Sequence, residues 1–315
     1  MYSFVIPVYN RPDEIDELLY SLTQQDFEEP FEIVVIEDGS DKAAVEIINQ
    51  YKNRLTIQYY VIENQGAGKA RNYGMSRAKG DYFIVLDSDV LVPTNYLKEV
   101  SKALQEKMTD AFGGPDTAHF SFTPLQKAIN FSMTSFLTTG GIRGKKKGIG
   151  RFQPRSFNFG VSKKAFEATK GFSSMRVGED IDFSFRLWQQ GFETQLIEKA
   201  VVYHKRRTSL DAFFTQVFRF GVARPVLNKR YPGTAKFTYW FPSIFTIGFF
   251  LSSFLFVLGQ WVPIILYNMY FTLLFMLSVL ENRNITVAFL SVITTLIQMT
   301  GYGLGFLKST FFSPE

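Results

Sequence analysis

Hydrophobic and polar positions change in blocks along the first hundred residues, and these blocks predict strands joined by helices. Short continuous apolar runs lie at residues 2–8, 31–36, 55–62 and 82–86, as expected for strands buried on both faces of a sheet. The segments between them space their apolar residues for a helix, as do Ile15, Leu18, Leu19 and Leu22. Strands that alternate with helices predict an α/β domain with a mostly parallel, Rossmann-like sheet and right-handed crossovers.

Polar residues follow the ends of these predicted strands. Pro7 stands near the end of the first strand, Asp38 ends the second, and Asp87 and Asp89 follow the fourth. Open α/β sheets bind ligands at the carboxyl ends of their strands. Two carboxylates this close repel each other and usually persist because a cation lies between them. The alternatives are a solvated turn after the strand and, for Asp38, an N-cap or turn residue.

A second group of acids begins a later predicted helix. Gly178 precedes Glu179, Asp180 and Asp182, which crowd its first turn. The helix dipole favours acids at this position, so capping explains one or two of them. Three acids behind a glycine that lets a ligand approach favour a catalytic role.

Cationic residues mark three further stretches. The glycine-punctuated loop at 64–72 carries Lys69 and Arg71 before a predicted helix, and the stretch at 138–150 is rich in glycine and cations. The latter is predicted to be a mobile loop, or a lid that contacts an anionic substrate. His204 ends a short predicted strand beside three cations, which indicates metal or phosphate contact or, alternatively, a structural histidine.

From residue 239 onward the chain is almost free of charge. Because about 20 apolar residues cross a bilayer, three membrane helices are predicted near 240–258, 262–280 and 285–307. Re-entrant segments are the alternative. Residues 210–227 mix aromatic residues and cations, which is typical of a helix lying at the membrane interface; a buried core helix is the alternative. The predicted organisation is a catalytic domain at 1–207, an interfacial segment at 208–238 and a membrane region at 239–315.

The amino-acid composition excludes several kinds of functional site. The 315-residue chain has no cysteine, so disulfides, a thiolate nucleophile and a zinc–thiolate site are excluded. Its net charge of +5 is too small to predict nucleic-acid binding, and it suits an anionic substrate or membrane surface. Residues 1–8 form a strand-like run without a basic leader, so no signal peptide is expected.

In their order and spacing, these features resemble family-2 glycosyltransferases of the GT-A fold. The resemblance covers roughly residues 2–230 and depends on a first strand ending in Pro7, on 34–40, on 87–89 and on 178–180. The stretches 64–66 and 70–72 also look like this family. Glu37 is a departure, since the family more often has a second aspartate there.

The resemblance implies a nucleotide-diphosphate sugar as donor and an inverting reaction. Asp38 would contact the base or ribose, and Asp87 and Asp89 would hold Mg²⁺ or Mn²⁺ against the diphosphate, with His204 as a further candidate ligand. Asp180 would be the general base for the acceptor hydroxyl. The remaining substrate-binding candidates are Pro7, Lys69, Arg71, Glu179 and Asp182.

A second resemblance concerns the acceptor. Gln216 and Arg219, in the sequence Gln-Val-Phe-Arg-Phe, are similar to the Gln-x-x-Arg-Trp motif of membrane-bound polysaccharide synthases, with Phe in place of Trp. Residues 203–204, 207 and 220–224 look like succinoglycan-type glucosyltransferases. These likenesses imply a lipid-linked saccharide acceptor, membrane lipids as partners, and a multi-pass protein of the inner membrane with a cytoplasmic catalytic domain.

Other functions stay open on the sequence. A polyprenyl-phosphate glycosyltransferase would use a phosphate nucleophile that needs no base. A non-catalytic membrane scaffold would keep the fold and bind donor without transfer. A processive synthase is disfavoured because three helices are few for a translocation channel, and a soluble nucleotidyltransferase is disfavoured by the apolar final quarter of the chain.

Overall fold

The computed structural model describes residues 1–139 and 151–312. These residues form two compact units, one of 1–117 with 151–204 and the other of 118–139 with 205–312. The domain boundaries predicted at 207 and 238 stay predictions. From residue 140 onward, the predicted loop or lid at 138–150 lies outside the described residues.

The first unit opens with repeated strand–helix pairs. Their bounds are β1 Tyr2–Val8, α1 Pro12–Leu22, β2 Phe31–Asp38, α2 Val45–Tyr51, β3 Ile57–Ile62, α3 Ala67–Arg77 and β4 Tyr82–Leu86. The chain continues with β5 Val90–Leu91, α4 Tyr96–Glu106, β6 Ala111–Gly113 and β7 Asp116–Thr117. All four strands predicted in this region form.

Two helices of the second unit then interrupt the first. These are α5 Pro124–Thr134 and α6 Phe136–Thr139. The first unit resumes with β8 Asn158–Ser162, α7 Lys163–Thr169, α8 Glu179–Gln189, β9 Thr194–Leu196 and β10 Val202–His204.

Within the described residues, the main sheet has seven strands in the order β3-β2-β1-β4-β8-β6-β9. The strands from β3 to β4 are parallel, whereas β8 is antiparallel to both of its neighbours. The prediction of a mostly parallel α/β sheet is confirmed. A small sheet in the order β5-β10-β7 lies beyond the end of β4.

The core fills both faces of the main sheet. One face packs Phe4, Ile6 and Ile84 against the apolar stripe of α1, and the other packs Val5, Val34 and Val85 against α3, α7 and α8. Successive residues of β1 therefore point into different cores, which is why its sequence is apolar throughout. Burial of these side chains supplies the main driving force for folding.

The second unit holds the long apolar helices. After α9, Leu210–Arg230, come a 3₁₀ turn at Phe237–Trp240 and then α10 Phe241–Val257, α11 Val262–Asn282 and α12 Ile285–Phe311. Three helical segments are long and apolar enough to cross a membrane: Phe237–Val257, Val262–Asn282 and Ile285–Phe311. They match the three predicted from hydropathy, and they associate the chain with a membrane.

Helix α12 is the centre of the second unit. A side chain on Gly221 of α9 would come within 2.2 Å of Tyr302 O, and one on Gly305 within 2.2 Å of Phe218 O. The two backbones therefore approach closely, as small residues permit between membrane helices. Helix α9, predicted to be interfacial, thus packs along α12 through Phe213 and Val217 among other residues.

Candidate active site

The acids predicted at strand ends lie at one edge of the sheet. Asp38 ends β2, and Asp87 follows β4; both strands pair in parallel with β1. Asp38 is 3% exposed, and its two oxygens accept hydrogen bonds from the backbone N–H groups of Gln65 and Gly66 at 2.8 and 2.9 Å. Its carboxylate therefore holds the loop that begins α3 against the end of β2.

Pairing in the small sheet brings His204 to the two aspartates. His204 lies opposite Val90 in the β10–β5 pair, which places it next to Asp89 in space. The His204 Nε2 atom is 3.4 Å from Asp89 Oδ1. Ligand atoms of Asp87, Asp89 and His204 all lie within 4.8 Å of one another.

Residues behind the histidine hold its ring in place. His204 Nδ1 is 3.5 Å from Asp116 Oδ2, and the ring lies 4.7 Å from that of Phe157. An imidazole whose second nitrogen faces a carboxylate is the usual orientation of a metal-binding histidine.

The three residues fit a divalent cation. The 3.4 Å between Asp89 Oδ1 and His204 Nε2 is longer than a good hydrogen bond, and it leaves both atoms able to bind a common ion. Two carboxylates with one imidazole are a suitable donor set. Burial alone would raise the pKa of Asp89, but nearby His204 and Arg11 outweigh it, so the pKa falls well below its usual range. Asp89 is therefore ionised at neutral pH, as a metal ligand must be.

Two arginines balance these carboxylates. Arg11 donates a hydrogen bond to Asp89 Oδ2. Arg71 Nη2 donates to Asp87 Oδ1 at 2.6 Å, and Arg71 Nη1 donates to Glu179 Oε1 at 3.0 Å. Arg71 thus links the aspartate after β4 with the first residue of α8.

The two acids that begin α8 are both largely buried. Burial raises the pKa of Glu179, even though Arg71 opposes the shift. Asp180 has a side chain 14% exposed and lies 3.8 Å from Arg155 Nη1. Gly178, with φ of 80°, adopts the left-handed conformation that starts the helix and that few other residues tolerate.

Asp182 differs from its neighbours. It is fully buried, and it accepts a hydrogen bond at 2.9 Å from Arg186. Arg186 also donates to the carbonyl oxygens of Thr169 and Gly171. Asp182 therefore stabilises the segment that follows α7, and this placement does not favour the predicted contact with substrate.

The other predicted residues occupy varied positions. Pro7 is buried in β1 opposite Ile36, just beyond the last residue of β1 that pairs with β4, so its missing N–H breaks no bond to that strand. Lys69 is exposed on α3. Gln216 and Arg219 lie one turn apart on α9 in the second unit. Contact of these residues with substrate stays a prediction.

Three site residues escaped the sequence analysis. Arg11, Asp116 and Arg155 each pair with a predicted residue, yet they are separated from it by many positions along the chain. Arg11 alone had a local signal, since it follows the end of β1 at the same sheet edge as Asp38.

The fold with its acidic sheet edge defines a glycosyltransferase domain of the GT-A type. The sequence model for "Glycosyl transferase family 2" matches residues 3–169, which is more than half of the chain. The chain therefore belongs to glycosyl transferase family 2.

Two curated relatives illustrate the match. The chain is 34% identical over 112 residues to the poly(ribitol-phosphate) β-N-acetylglucosaminyltransferase TarS of Staphylococcus aureus, covering 35% of this chain and 20% of TarS. It is 27% identical over 237 residues to the hyaluronan synthase of Pasteurella multocida, covering 64% of this chain and 24% of that protein. The chain thus spans a quarter or less of the length of either relative.

Solved structures support the fold. A mannosyltransferase from Pyrobaculum calidifontis, in complex with GDP-Man and Mn²⁺, superposes with a TM-score of 0.60 at 14% identity, covering 98% of this chain and 87% of that one. TarS 1–349 in complex with UDP gives a TM-score of 0.50 at 22% identity, covering 70% and 64%.

Proposed function

We propose that this enzyme transfers a sugar from a nucleotide-diphosphate donor to a hydroxyl of a lipid-linked saccharide, with inversion, at the cytoplasmic face of the inner membrane. The observation that carries the proposal is the cluster of Asp87, Asp89 and His204 at the acidic edge of a family-2 domain. Two solved relatives, one in complex with UDP and one with GDP-Man, are consistent with such a donor.

Asp87, Asp89 and His204 would hold the divalent cation. A bound cation would supply positive charge to the diphosphate of the donor. We favour Mn²⁺ over Mg²⁺, because Mg²⁺ prefers all-oxygen coordination and the imidazole of His204 adds a nitrogen. Asp38 would position the nucleoside through the loop that its carboxylate holds.

Asp180 is our candidate for the general base. Glu179 is held by Arg71, and Asp182 is buried against Arg186, whereas the only described ion pair of the Asp180 carboxylate is a long one, 3.8 Å from Arg155. Asp180 is therefore the member of this group whose carboxylate makes no close ion pair among the described residues. Asp180 would accept the acceptor's proton as its oxygen attacks the anomeric carbon.

Charge beside the apolar helices supports the cytoplasmic orientation. The 20 residues before Phe237 include Arg219, Arg224, Lys229, Arg230 and Lys236, whereas residues 258–261, between α10 and α11, include no lysine or arginine. Positive residues beside a membrane helix favour the cytoplasmic side.

A donor screen tests the proposal. The full chain in nanodiscs of bacterial lipid extract is incubated with Mn²⁺ and a panel of sugar nucleotides, and release of nucleoside diphosphate is followed. We expect release with at least one donor, its loss in Asp89→Asn, and its retention in Asp81→Asn, a matched variant whose side chain is 85% exposed. Equal release from Asp89→Asn and wild type would contradict the metal assignment.

Asp180→Asn distinguishes the two acceptor chemistries. A hydroxyl acceptor needs a base, so the variant should lose a factor of about 10² or more in rate. A polyprenyl-phosphate acceptor is already ionised, and with it the variant would transfer at nearly the wild-type rate. That outcome would refute a saccharide hydroxyl as the nucleophile.

A further inference from the structure

The third apolar helix makes its contacts in an unexpected pattern. Helices α10 and α11 form an antiparallel hairpin, in which Phe245 and Phe249 pack on Tyr267 with ring centroids 5.1 and 5.4 Å apart. Residues 258–261 form its tip. A third crossing helix in such a bundle would contact the hairpin along most of its length.

Helix α12 instead contacts the hairpin at one level. On the α10 side the contacts are Trp240 with Phe306 and Phe311, Ser243 with Gly303 O, and Thr246 with Met299 O. On the α11 side, Ser278 Oγ lies 2.9 Å from Ser291 Oγ.

The rise per residue of an α-helix gives the position of each contact along the hairpin. At 1.5 Å per residue, Trp240 to Thr246 lie about 16–26 Å from the end of α10, and Ser278 lies about 24 Å from the start of α11. These contacts therefore fall in a band about 10 Å deep at the open end of the hairpin. Over the same contacts α12 advances from Ser291 to Phe311, about 30 Å. Helix α12 consequently runs across the hairpin.

Small residues of α12 permit this crossing. Gly303 lies where α12 meets α10, and a side chain there would come within 2.7 Å of Pro242 O. On its other side α12 packs against α9 and α5, where Gly301 faces Val217 and Thr294 Oγ1 donates to Ala128 O at 3.2 Å. Of the 18-residue apolar window in α12, 39% is buried, against 17% and 11% in the other two candidate spans.

The charge of the second unit is concentrated around α9 and α12, at the level where α12 crosses the hairpin. The described residues of the second unit carry 11 lysines and arginines against two acids, and none of these charges falls between 241 and 280. Arg224 of α9 lies 4.3 Å from the ring of Tyr239, at the open end of the hairpin, and Lys308 of α12 lies 5.7 Å from that of Phe218. Cations at this level fit the phosphate zone of a bilayer.

We infer that only the α10–α11 hairpin crosses the membrane, and that α12 lies with α9 in the plane of the cytoplasmic surface, where the basic residues bind anionic phospholipid headgroups. From its tip to its open end the hairpin measures about 26 Å along α10 and about 32 Å along α11, close to the roughly 30 Å of the hydrocarbon core. Two crossings leave the start of α10 and the end of α12 on the same side of the membrane. This inference does not depend on sugar transfer.

The absence of native cysteine allows a direct test. Gln260→Cys at the hairpin tip, Lys229→Cys on α9 and Lys308→Cys on α12 are each exposed in the structure. Right-side-out vesicles with the full chain are treated with a membrane-impermeant maleimide. We expect labelling of Gln260→Cys from outside, and labelling of the other two only after permeabilisation. Labelling of Lys308→Cys from outside would show a third crossing, and protection of Gln260→Cys would show that the hairpin does not cross; either result overturns the inference.

Depth measurements test the in-plane placement separately. Phe289→Cys and Leu304→Cys, both at exposed positions, carry an environment-sensitive fluorophore and are quenched by spin-labelled lipids. An in-plane helix predicts equal, shallow depths. A crossing helix predicts depths that differ by about 20 Å, because 15 residues separate the two positions. Phe250→Cys within the hairpin gives the reference for a deep position. If anionic headgroups hold α9 and α12 at the membrane surface, omission of phosphatidylglycerol from the vesicles should weaken quenching at both α12 positions.

Discussion

Arg71 is the residue whose removal should disturb the acidic edge most. Its side chain is 4% exposed and bridges Asp87 and Glu179, which are themselves 28% and 14% exposed. Arg71→Met leaves both carboxylates without their cation. Breaking a buried ion pair by removing one partner costs about 3–5 kcal/mol. That is a large part of the 5–15 kcal/mol of a typical domain.

A divalent cation should offset part of this loss. If Asp87 helps to hold the ion, Mn²⁺ replaces some of the positive charge that the variant lacks. The destabilisation by Arg71→Met should then be smaller in saturating Mn²⁺ than in EDTA by at least about 1 kcal/mol, because a ligand that binds only the folded state stabilises it. Arg71→Lys should fall between wild type and Arg71→Met, since an ammonium group bonds one carboxylate well but not two.

Urea unfolding measured through one tryptophan gives the free energy. Trp188 lies in the first unit, where its Nε1 donates to Thr194 Oγ1 at 3.0 Å, whereas Trp240 and Trp261 lie in the second. Replacing these two by phenylalanine leaves Trp188 as the reporter in the full chain. Lys102→Met, on the exposed side of α4, is the control and should change stability by less than about 0.5 kcal/mol. A loss below 1 kcal/mol in Arg71→Met, or one that Mn²⁺ does not change, would refute the reasoning.

Three further predictions concern metal binding, pH and helix packing. Asp89→Asn should lose Mn²⁺ binding by electron paramagnetic resonance, while Asp81→Asn binds as wild type. Burial raises the pKa of Glu179 above its usual 4.5, so the stability that this side chain contributes is complete below pH 4.5. That contribution is lost as the pH rises through the pKa that Glu179 has in the folded state. Glu179→Gln should therefore gain stability relative to wild type between pH 4.5 and 7.5 in urea titrations, and a constant difference would contradict the assignment. Gly305→Ala places a methyl group 2.2 Å from Phe218 O and should cost about 1–3 kcal/mol, seen as a lower melting temperature in detergent, whereas Leu304→Ala at the exposed neighbour should change it little.

Strand ends were readable from the sequence because burial on both sheet faces demands unbroken apolar runs. The polar residue that ends such a run marks the sheet edge, and Asp38, Asp87 and Asp89 were found in this way. The structure brings Asp87, Asp89 and His204 together, and the pairing of β10 with β5 explains why His204 joins the two aspartates.

The partners of these acids could not be read from the sequence. Lys69 and Arg71 stand two positions apart in the same loop and helix start, and both were predicted to contact substrate. One is exposed, and the other is buried between Asp87 and Glu179. Which face of α3 meets the sheet is decided by strand order and helix packing, neither of which local spacing encodes. The same holds for Arg11, which lies 78 positions from Asp89.

The distribution of charge is a second feature that the linear sequence did not reveal. Divided at residue 239, the sequence showed its positive excess in the first part. Divided as the chain folds, the described residues of the first unit carry a net −7 and those of the second a net +9. The basic residues at 205–236 belong to the second unit, together with the apolar helices, and a linear count conceals this.

The insertion of α5 into the first unit's sequence has a consequence for biosynthesis. Ala128 of this helix accepts its hydrogen bond from Thr294, 166 residues later, and Asn130 accepts one from Arg206 at 3.1 Å. At 5–20 residues per second, a ribosome needs about 8–33 s to make the missing partner. Until α9 and then α12 are made, the apolar face of α5, with Ile129 and Met133, lacks the helices that cover it. During synthesis this face must therefore be covered by the membrane or by a chaperone, and the order of synthesis couples the formation of α9 and α12 to completion of the second unit.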